Sequence, residues 1–458
     1  MIQSNPYNYN MPVKPEMFYG RQSELKSLMA DLTSMPGDSC ALIGGRRIGK
    51  TSLLEYLLNS LEQLGDKSSR IIIPIFITLS GSGIQSPHSF FQSIMSNVHF
   101  GLTSTLTLKP AQFTEAYPSA PAFEDLLLIW NQEAISEFSR QIRLVVLLDE
   151  CEHAVNEQWA TELYAALRYL LTGRKSRDLI KVIMSGGYEF LNKVREEGSP
   201  LRNILKYYTL HSLDIESTTQ LITGPTSSLI PQLATREIIN QSGCHPFLTQ
   251  YIMYQLWENG LENSSVNDIR ALAQNFSHER NDFQDWLATL GQTAIQIYQM
   301  LVEISLPLSS AELRARFLET PEDFSKSIEA LYFHGLIINE EGNYRINGRL
   351  FKYWFKENYL GLHKDEISRA FKEIMSKVSS MPLGANRNKA INVLKNIENE
   401  IRLGEKANEQ KTKKLLDFLS TTAPDAWDVA VKTLSNPVQG VAMVIKKVAE
   451  RAKIEQKK

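Results

Sequence analysis

An α/β fold, followed by helical and winged-helix segments, is predicted for this chain by three observations. Short, continuously apolar runs alternate with helical stretches as far as Leu213, the pattern of a parallel sheet buried on both faces. A glycine-rich turn in "GGRRIGKTSLLEYL", Gly44 to Leu57, joins the first such run to a leucine-rich helix. Beyond Asp214 the strands stop, and a hairpin signal returns only near Glu340.

The elements follow in order. The first twenty residues are rich in Asn, Pro and Tyr and read as an extended arm. A helix is expected from Ser23 to about Leu32. "SCALIG", ending at Gly44, reads as a buried strand. "RIIIPIFITL", Arg70 to Leu79, is β-branched and reads as the second strand. Helical patterns fill much of Ser89 to Arg140. "RLVVLLDE", Arg143 to Glu150, is the third strand, a helix runs from near Trp159 to Leu171, and "LIKVIMSGG" is the fourth strand. "YYTLHSL", Tyr207 to Leu213, is the fifth. Short helices are expected from Asp214 to about Asn281, broken at "GCHPF". From Gln292 to Gly361, two or three helices precede "GLIINEEGNYRIN", whose "EEGN" reads as a hairpin turn. That order suits a winged helix. From Leu362 the chain is helical and polar, with a hinge at "SSMPLGANRN".

Composition narrows the function. At 458 residues the chain exceeds a single core. Its formal net charge of −2 gives no global attraction to nucleic acid or an anionic membrane. Cys40, Cys151 and Cys244 lack metal-ligand spacing and read as buried thiols in a reducing cytosol. No apolar run is long enough to span a membrane and no signal core is evident, so a cytoplasmic location is expected.

The glycine-rich turn carries the chemistry. Gly44, four residues on Gly49, then Lys50 and Thr51 fit G-x-x-x-x-G-K-[ST]. Gly44, Gly45, Arg46, Arg47, Ile48, Gly49, Lys50, Thr51 and Ser52 form the expected phosphate cradle, with backbone N–H groups and a helix N-terminus facing the anion. Lys50 would reach the β- and γ-phosphates of ATP, and the Thr51 hydroxyl would ligate Mg²⁺. "VVLLDE" supplies the second half. Asp149 would hold the Mg²⁺ shell and Glu150 would act as general base. Glu152 and His153 read as solvated neighbours. Ser185 reads equally as a polar group near the γ-phosphate and as an ordinary strand-ending serine.

With these residues in view, the chain resembles STAND NTPases and related AAA+ ATPases. "FYGRQSEL", Phe18 to Leu25, looks like the segment found upstream of their P-loop. "ITGP", Ile222 to Pro225, is similar to their Gly-x-Pro lid element, with one spacer missing. "SGCHPFLTQYI" and "LYFHGLI…YRINGRLFKYWF" resemble their Gly-x-His-Pro-Phe and winged-helix segments. The resemblance covers about Asn5 to Leu360. It implies a P-loop ATPase core over 1–213 with an adenine-contacting arm, a helical lid over 214–285, a winged helix over 286–361 and a basic helical domain over 362–458. It places Phe18, Tyr19, Gly20 and Arg21 against adenine and ribose, and Pro225 on the base. His245 and His334 are compatible with phosphate contact or with a structural role. Arg202 is compatible with an arginine finger reaching a neighbour's γ-phosphate or with an ordinary surface arginine. The implied function is an ATP/ADP switch with low turnover that forms homo-oligomers or changes partners with nucleotide state, in signalling or anti-phage defence.

The alternative is a DNA-associated AAA+ ATPase that reads DNA with its winged helix. The expected recognition helix carries Glu322, Asp323 and Glu329 against Lys326, and the wing tip carries Glu340 and Glu341, so DNA is disfavoured. From Leu362 onward there are 19 Lys and Arg against 12 Asp and Glu. Val438, Val441, Val444, Ile445 and Val448 line one side of the last expected helix, which suits a bundle, a membrane surface or a partner. Lacking a repeat array or a separate effector, the chain has this tail as its candidate adaptor to an effector protein.

Overall fold

The computed structural model of the protein describes residues 5–64, 68–105, 119–226, 230–261, 264–279, 282–315, 320–360, 385–402, 409–422 and 427. The chain divides into two compact units, Met1–Thr235 with Cys244–Ser264, and Arg236–Gly243 with Ser265–Lys458.

The first unit is built on five parallel strands, β1 (Cys40–Gly44), β2 (Arg70–Thr78), β3 (Gln141–Asp149), β4 (Ile180–Gly186) and β5 (Lys206–Leu210), in the order β2-β3-β4-β1-β5. Its helices are α1 (Gln22–Thr33), α2 (Lys50–Glu62), α3 (Pro87–Thr105), α4 (Ala120–Phe138), α5 (Gln158–Thr172), α6 (Tyr188–Arg195), α7 (Ile215–Thr223) and α9 (Pro246–Asn259). Between the last two, α8 (Gln232–Ser242) is divided between the units. All of β1 and β4 is buried, as is β3 after Gln141, which is why these strands read as mainly apolar runs, interrupted by Arg143 in β3 and Lys181 in β4. Leu28 and Leu32 of α1 and Leu53, Leu54, Leu57 and Leu61 of α2 pack with Leu42, Val145, Leu147 and Ile183 of the sheet. Each such leucine contributes about 1.5–3 kcal/mol by burial. This packing fixes α2, and with it the glycine turn, against the strand ends.

The topology sets the site. The chain leaves β1 through α2 and crosses to β2, then returns through β3 and β4 before passing to β5 on the far side of β1. The order therefore reverses at β1, and ligands of open α/β sheets bind at the carboxyl ends of strands near such a reversal. Because β4 lies between β1 and β3, its last residues stand between the glycine turn and Asp149.

The second unit holds α10 (Val266–Glu279), α11 (Asp282–Ala288), α12 (Gln292–Ile304), α13 (Ser310–Arg314), α14 (Pro321–Phe333) and α15 (Leu350–Trp354). A small antiparallel sheet of β6 (Leu308–Ser309), β7 (Ile337–Glu340) and β8 (Asn343–Ile346) runs in the order β6-β8-β7. The expected turn is present: Glu341 and Gly342, at φ 53° and 87°, join β7 to β8, the backbone of a two-residue I′ hairpin. Phe283, Trp286, Tyr298, Phe351, Trp354 and Phe355 form an aromatic core. Helices Ala385–Arg402 and Glu409–Thr422 pack on each other through Leu394, Ile397, Leu416 and Leu419. The expected hinge is in part helical, since the first of these starts at Ala385. The rest of that hinge, residues 379–384, and the stripe from Val438 to Val448 lie outside the described residues. Among the described residues, no helix is long and apolar enough to cross a membrane.

Candidate functional site

The glycine turn follows β1 directly. At Gly44 an added Cβ would lie 2.6 Å from Ile48 Cγ2 and 3.2 Å from the Leu210 carbonyl, so the turn folds tightly onto the strand end. Gly49 has φ 99°, a region that side-chain-bearing residues avoid, and a Cβ there would meet nothing within 4 Å. The loop thus presents an open face at its last glycine, just before the N-terminus of α2. Gly45 and Ile48 are buried, whereas Arg46 and Arg47 are exposed on the turn. The Lys50 ammonium donates to the carbonyls of Gly44 and Gly45, each at 3.0 Å, and holds the loop closed on itself. Burial lowers its pKa, opposed by the carboxylates of Glu152, Asp149 and Glu150.

Across the inserted β4, the Thr51 hydroxyl donates to Asp149 Oδ2 at 2.6 Å. Asp149 is buried, and its Oδ1 accepts the Glu150 N–H at 2.9 Å. Thr51 and Asp149 thus converge although 98 residues separate them. A hydroxyl and a carboxylate oxygen are hard donors that suit Mg²⁺, which takes most of its remaining shell from phosphates and water. No group of three His, Cys, Asp or Glu among the described residues could hold a metal ion.

Glu150 sits at φ 56°, where the chain turns from β3 into a 3₁₀ turn, Cys151–Ala154. Its Oε2 accepts the Thr78 hydroxyl at 3.2 Å from the end of the neighbouring β2. Thr78 is therefore a second-strand residue that orients the expected base, and it stands opposite Asp149 in the strand register. Glu152 differs from its expected solvated state: it is half-buried, and its Oε2 accepts the Gly187 N–H at 3.3 Å just beyond β4. Ser185 is fully buried between the two halves of the site, and its hydroxyl has no protein partner. Burial pushes the Cys151 thiol well up, consistent with an inert thiol. Cys40 and Cys244 are likewise buried and free.

The segment upstream of α1 is placed as follows. The Phe18 ring stacks on Tyr56 of α2 at 4.5 Å. Gly20 and Arg21 both have positive φ, 74° and 66°. The Arg21 guanidinium donates to the His211 carbonyl and pairs with Glu24 at 3.3 Å. Tyr19 reaches the end of α7: a Cβ on Gly224 would lie 2.6 Å from its hydroxyl, and the next residue, Pro225, is half-buried. The Ser52 hydroxyl accepts the Val13 N–H at 3.2 Å. Arg202 is exposed in the turn region between α6 and β5. His245 is buried at the N-terminus of α9, and His334 is buried in the second unit, where its Nε2 lies 3.4 Å from the Thr289 hydroxyl.

Comparison with known proteins fits this geometry. Residues 35–194 match the family described as AAA domain. These residues include the glycine turn after β1 and the acid pair at the end of β3. Residues 368–455 match the family described as ternary complex associated domain 2. No curated protein matches the chain. Among solved structures, the chain is similar to a Walker-type ATPase of Pyrococcus abyssi, with a TM-score of 0.53 and 15% identity over 75% of this chain and 97% of that one. It is also similar to the Aeropyrum pernix ORC2 protein solved in ADPNP–ADP complexes, with a TM-score of 0.50 and 14% identity over 78% of this chain and 97% of that one. At such identities the likeness shows the fold, an α/β P-loop core with helical regions after it.

Proposed function

We propose that the protein is an ATP-binding, slowly hydrolysing AAA+ switch of the STAND type, which couples nucleotide state to oligomerisation or partner binding. The observation that carries the nucleotide reading is the meeting of Thr51 and Asp149 at 2.6 Å, beside an open glycine face and with Glu150 held by Thr78. Gly44 to Ser52 cradle the phosphates, and Lys50 leaves the Gly44 and Gly45 carbonyls to meet them. Thr51 and Asp149 would hold Mg²⁺, which would supply neutralisation of developing phosphate charge. Glu150 takes the proton of the attacking water, and Thr78 keeps its carboxylate oriented. Phe18 to Arg21 and Pro225 flank the base, a role supported by the nearness of Tyr19 to Gly224. Arg202, exposed on its turn, is available to a neighbouring copy.

The STAND subtype rests on the segments "FYGRQSEL", "ITGP" and "SGCHPFLTQYI". Residues 214–285 act as lid and 286–361 as a winged helix serving as a lever. The lever role is favoured over DNA reading by charge. Residues 320–347 hold five acidic groups, Glu322, Asp323, Glu329, Glu340 and Glu341, against Lys326 and Arg345. Lys326 already pairs with Glu322 at 2.8 Å, and Arg345 with Glu340. The tail from 362 docks a partner protein, in line with the ternary complex named for the family that residues 368–455 match. A setting in signalling or anti-phage defence completes the proposal.

The test separates binding from chemistry. Lys50→Ala should abolish ATP binding in a titration, whereas Glu150→Gln should keep binding and lose hydrolysis. Equal turnover in wild type and Glu150→Gln would remove Glu150 as base. Sizing the protein with ADP, ATP and a non-hydrolysable analogue should show a larger species in the ATP state. One unchanging size, together with unchanged partner capture, would overturn the switch.

A further inference from the structure

Residues 5–13 have no regular secondary structure beyond bends, yet they are tied down along their length. The Asn5 amide donates to the Tyr254 carbonyl at 3.2 Å and to Glu258 at 2.8 Å. Tyr7 is 1% exposed, and its hydroxyl donates to the Ile222 carbonyl at 2.8 Å. The Asn8 N–H donates to Gln250 at 3.3 Å. The Tyr9 ring is met edge-on by three rings of α9, Phe247, Tyr251 and Tyr254, at 6.2, 5.1 and 5.2 Å between centroids.

The same segment grips the glycine turn. Arg47 Nη1 donates to the Tyr9 carbonyl at 3.2 Å, and its guanidinium lies 4.5 Å from the centroid of Phe247. A guanidinium between a carbonyl and an aromatic face gains both a charge-assisted hydrogen bond and a cation–π contact. Four residues further on, Val13 is bonded to Ser52 in the first turn of α2. The arm therefore connects α9 with the loop at Arg47, in the turn, and with Ser52, in the first turn of the helix that follows it. An arginine beside a phosphate cradle suggests a phosphate ligand, but this one is committed elsewhere.

We propose that Arg47 and Tyr9 are positioning residues: they dock the N-terminal arm and α9 onto the phosphate loop, so that arm docking and nucleotide occupancy are coupled. The docking stands on contacts within the first unit, while the coupling rests on the nucleotide reading above. A loop that reshapes around phosphates moves the Arg47 backbone, which sits at φ 56° in the turn, and so strains or relieves the grip on the arm. Coupling of this kind is reciprocal. If the docked arm changes ADP affinity by some factor, ADP changes arm docking by the same factor.

The experiment uses the full chain. Amide hydrogen exchange of peptides covering residues 5–13 is measured in wild type, Tyr9→Ala, Arg47→Gln and Arg47→Lys, without nucleotide and with ADP, beside ADP titrations of each. Tyr9→Ala and Arg47→Gln should both speed arm exchange by roughly tenfold or more, and Arg47→Lys should recover part of the protection. Tyr9→Ala leaves every loop residue intact and should still shift ADP affinity, by about fivefold or more. ADP should shift wild-type arm exchange to match. If Arg47→Gln weakens ADP binding with arm exchange unchanged, and Tyr9→Ala leaves ADP affinity alone, Arg47 is a phosphate ligand and the proposal fails. If wild type binds no ADP, the nucleotide reading and the coupling fall together. Arm exchange without nucleotide then still decides the docking.

Discussion

Thr51→Val is the sharpest probe of the site because it removes one hydroxyl and keeps the side chain's shape. That hydroxyl donates at 2.6 Å to Asp149, a carboxylate only 2% exposed whose other oxygen is bonded to the Glu150 N–H. A hydrogen bond to a charged group contributes about 1.5–3 kcal/mol, and a buried acceptor left unpaired pushes the loss upward in that range. A loss of about 2 kcal/mol is expected. At about 2–4 °C per kcal/mol for a domain of this size, Tm should fall by roughly 4–8 °C. Thr51→Ser should restore most of it. In an Asp149→Asn background, the same Thr51→Val change should cost less than about 1 kcal/mol, since a neutral acceptor loses less. Differential scanning calorimetry of the four proteins gives the cycle directly. Titrations of ADP with Mg²⁺ and with a chelator add a functional readout: Thr51→Val should lose the Mg²⁺-dependent part of the affinity and keep the rest. A Tm within about 1 °C of wild type would mean that the bond contributes no stability. The join between the two halves of the site across β4 would then have lost its support.

Further outcomes are expected for two glycines, one helix cap and DNA. Gly44→Ala should lose about 1–3 kcal/mol by overpacking against Ile48 and Leu210. Gly49→Ala has room for its Cβ and should lose a similar amount through its φ of 99°, but it alone should put a methyl on the open face and weaken ADP binding strongly; calorimetry that finds ADP binding intact would refute that face as the cradle. Asp214 caps α7 by accepting the Ser217 N–H at 2.6 Å, which holds its carboxyl below the ordinary range. Asp214→Ala should cost about 1 kcal/mol at pH 7. Because the folded pKa is depressed, that difference is fully present above the unfolded value near 3.9 and disappears as pH falls through the folded one; denaturant melts at pH 7 and pH 3 should show the gap closing. Duplex DNA should bind weakly at physiological salt in an anisotropy titration, and Lys326→Gln should leave that binding unchanged; tight, salt-steep binding lost in this variant would restore the DNA reading.

The parts of the fold legible in the sequence are those whose determinants are neighbours along the chain. The turn from Gly44 to Thr51 carries its geometry in its own glycines, and β1, β3 and β4 carry theirs in mainly apolar runs. The hairpin at Glu341 and Gly342 is likewise encoded locally. Where the reading slips, the partner is remote. The fifth strand, expected to reach Leu213, ends at Leu210, because Arg21 takes the His211 carbonyl and the Leu213 N–H donates to the Cys244 carbonyl. The two-residue β6 has no periodicity and exists through its pairing with Tyr344 and Asn343. Arg143 lies in mid-sheet with no exposed surface; its Nη1 donates to the carbonyls of Leu32 and Ser34 and its Nε to that of Asp178, while Nη2 has no hydrogen-bond partner among the described residues.

The same division runs through the site. Lys50, Thr51, Asp149 and Glu150 belong to two local signals, one for an anion cradle and one for a strand-end acid pair. Nothing local announces the residues that hold those signals in place. Glu152 read as solvated because its partner, the Gly187 N–H, lies 35 residues away; Thr78 is unmarked within the second strand because its partner, Glu150, lies 72 residues on. Tyr7 and Tyr9 read only as part of an extended arm because Ile222 and the rings of α9 are more than 200 residues downstream. A short polar segment with three asparagines and two tyrosines has no apolar stripe to mark it as docked, yet each aromatic ring has a specific seat. In a chain of this kind the groups that would touch nucleotide are therefore found from sequence, whereas the groups that would make nucleotide binding matter elsewhere are found only from the fold. That is why the arm, and not the cradle, is the place to look for regulation.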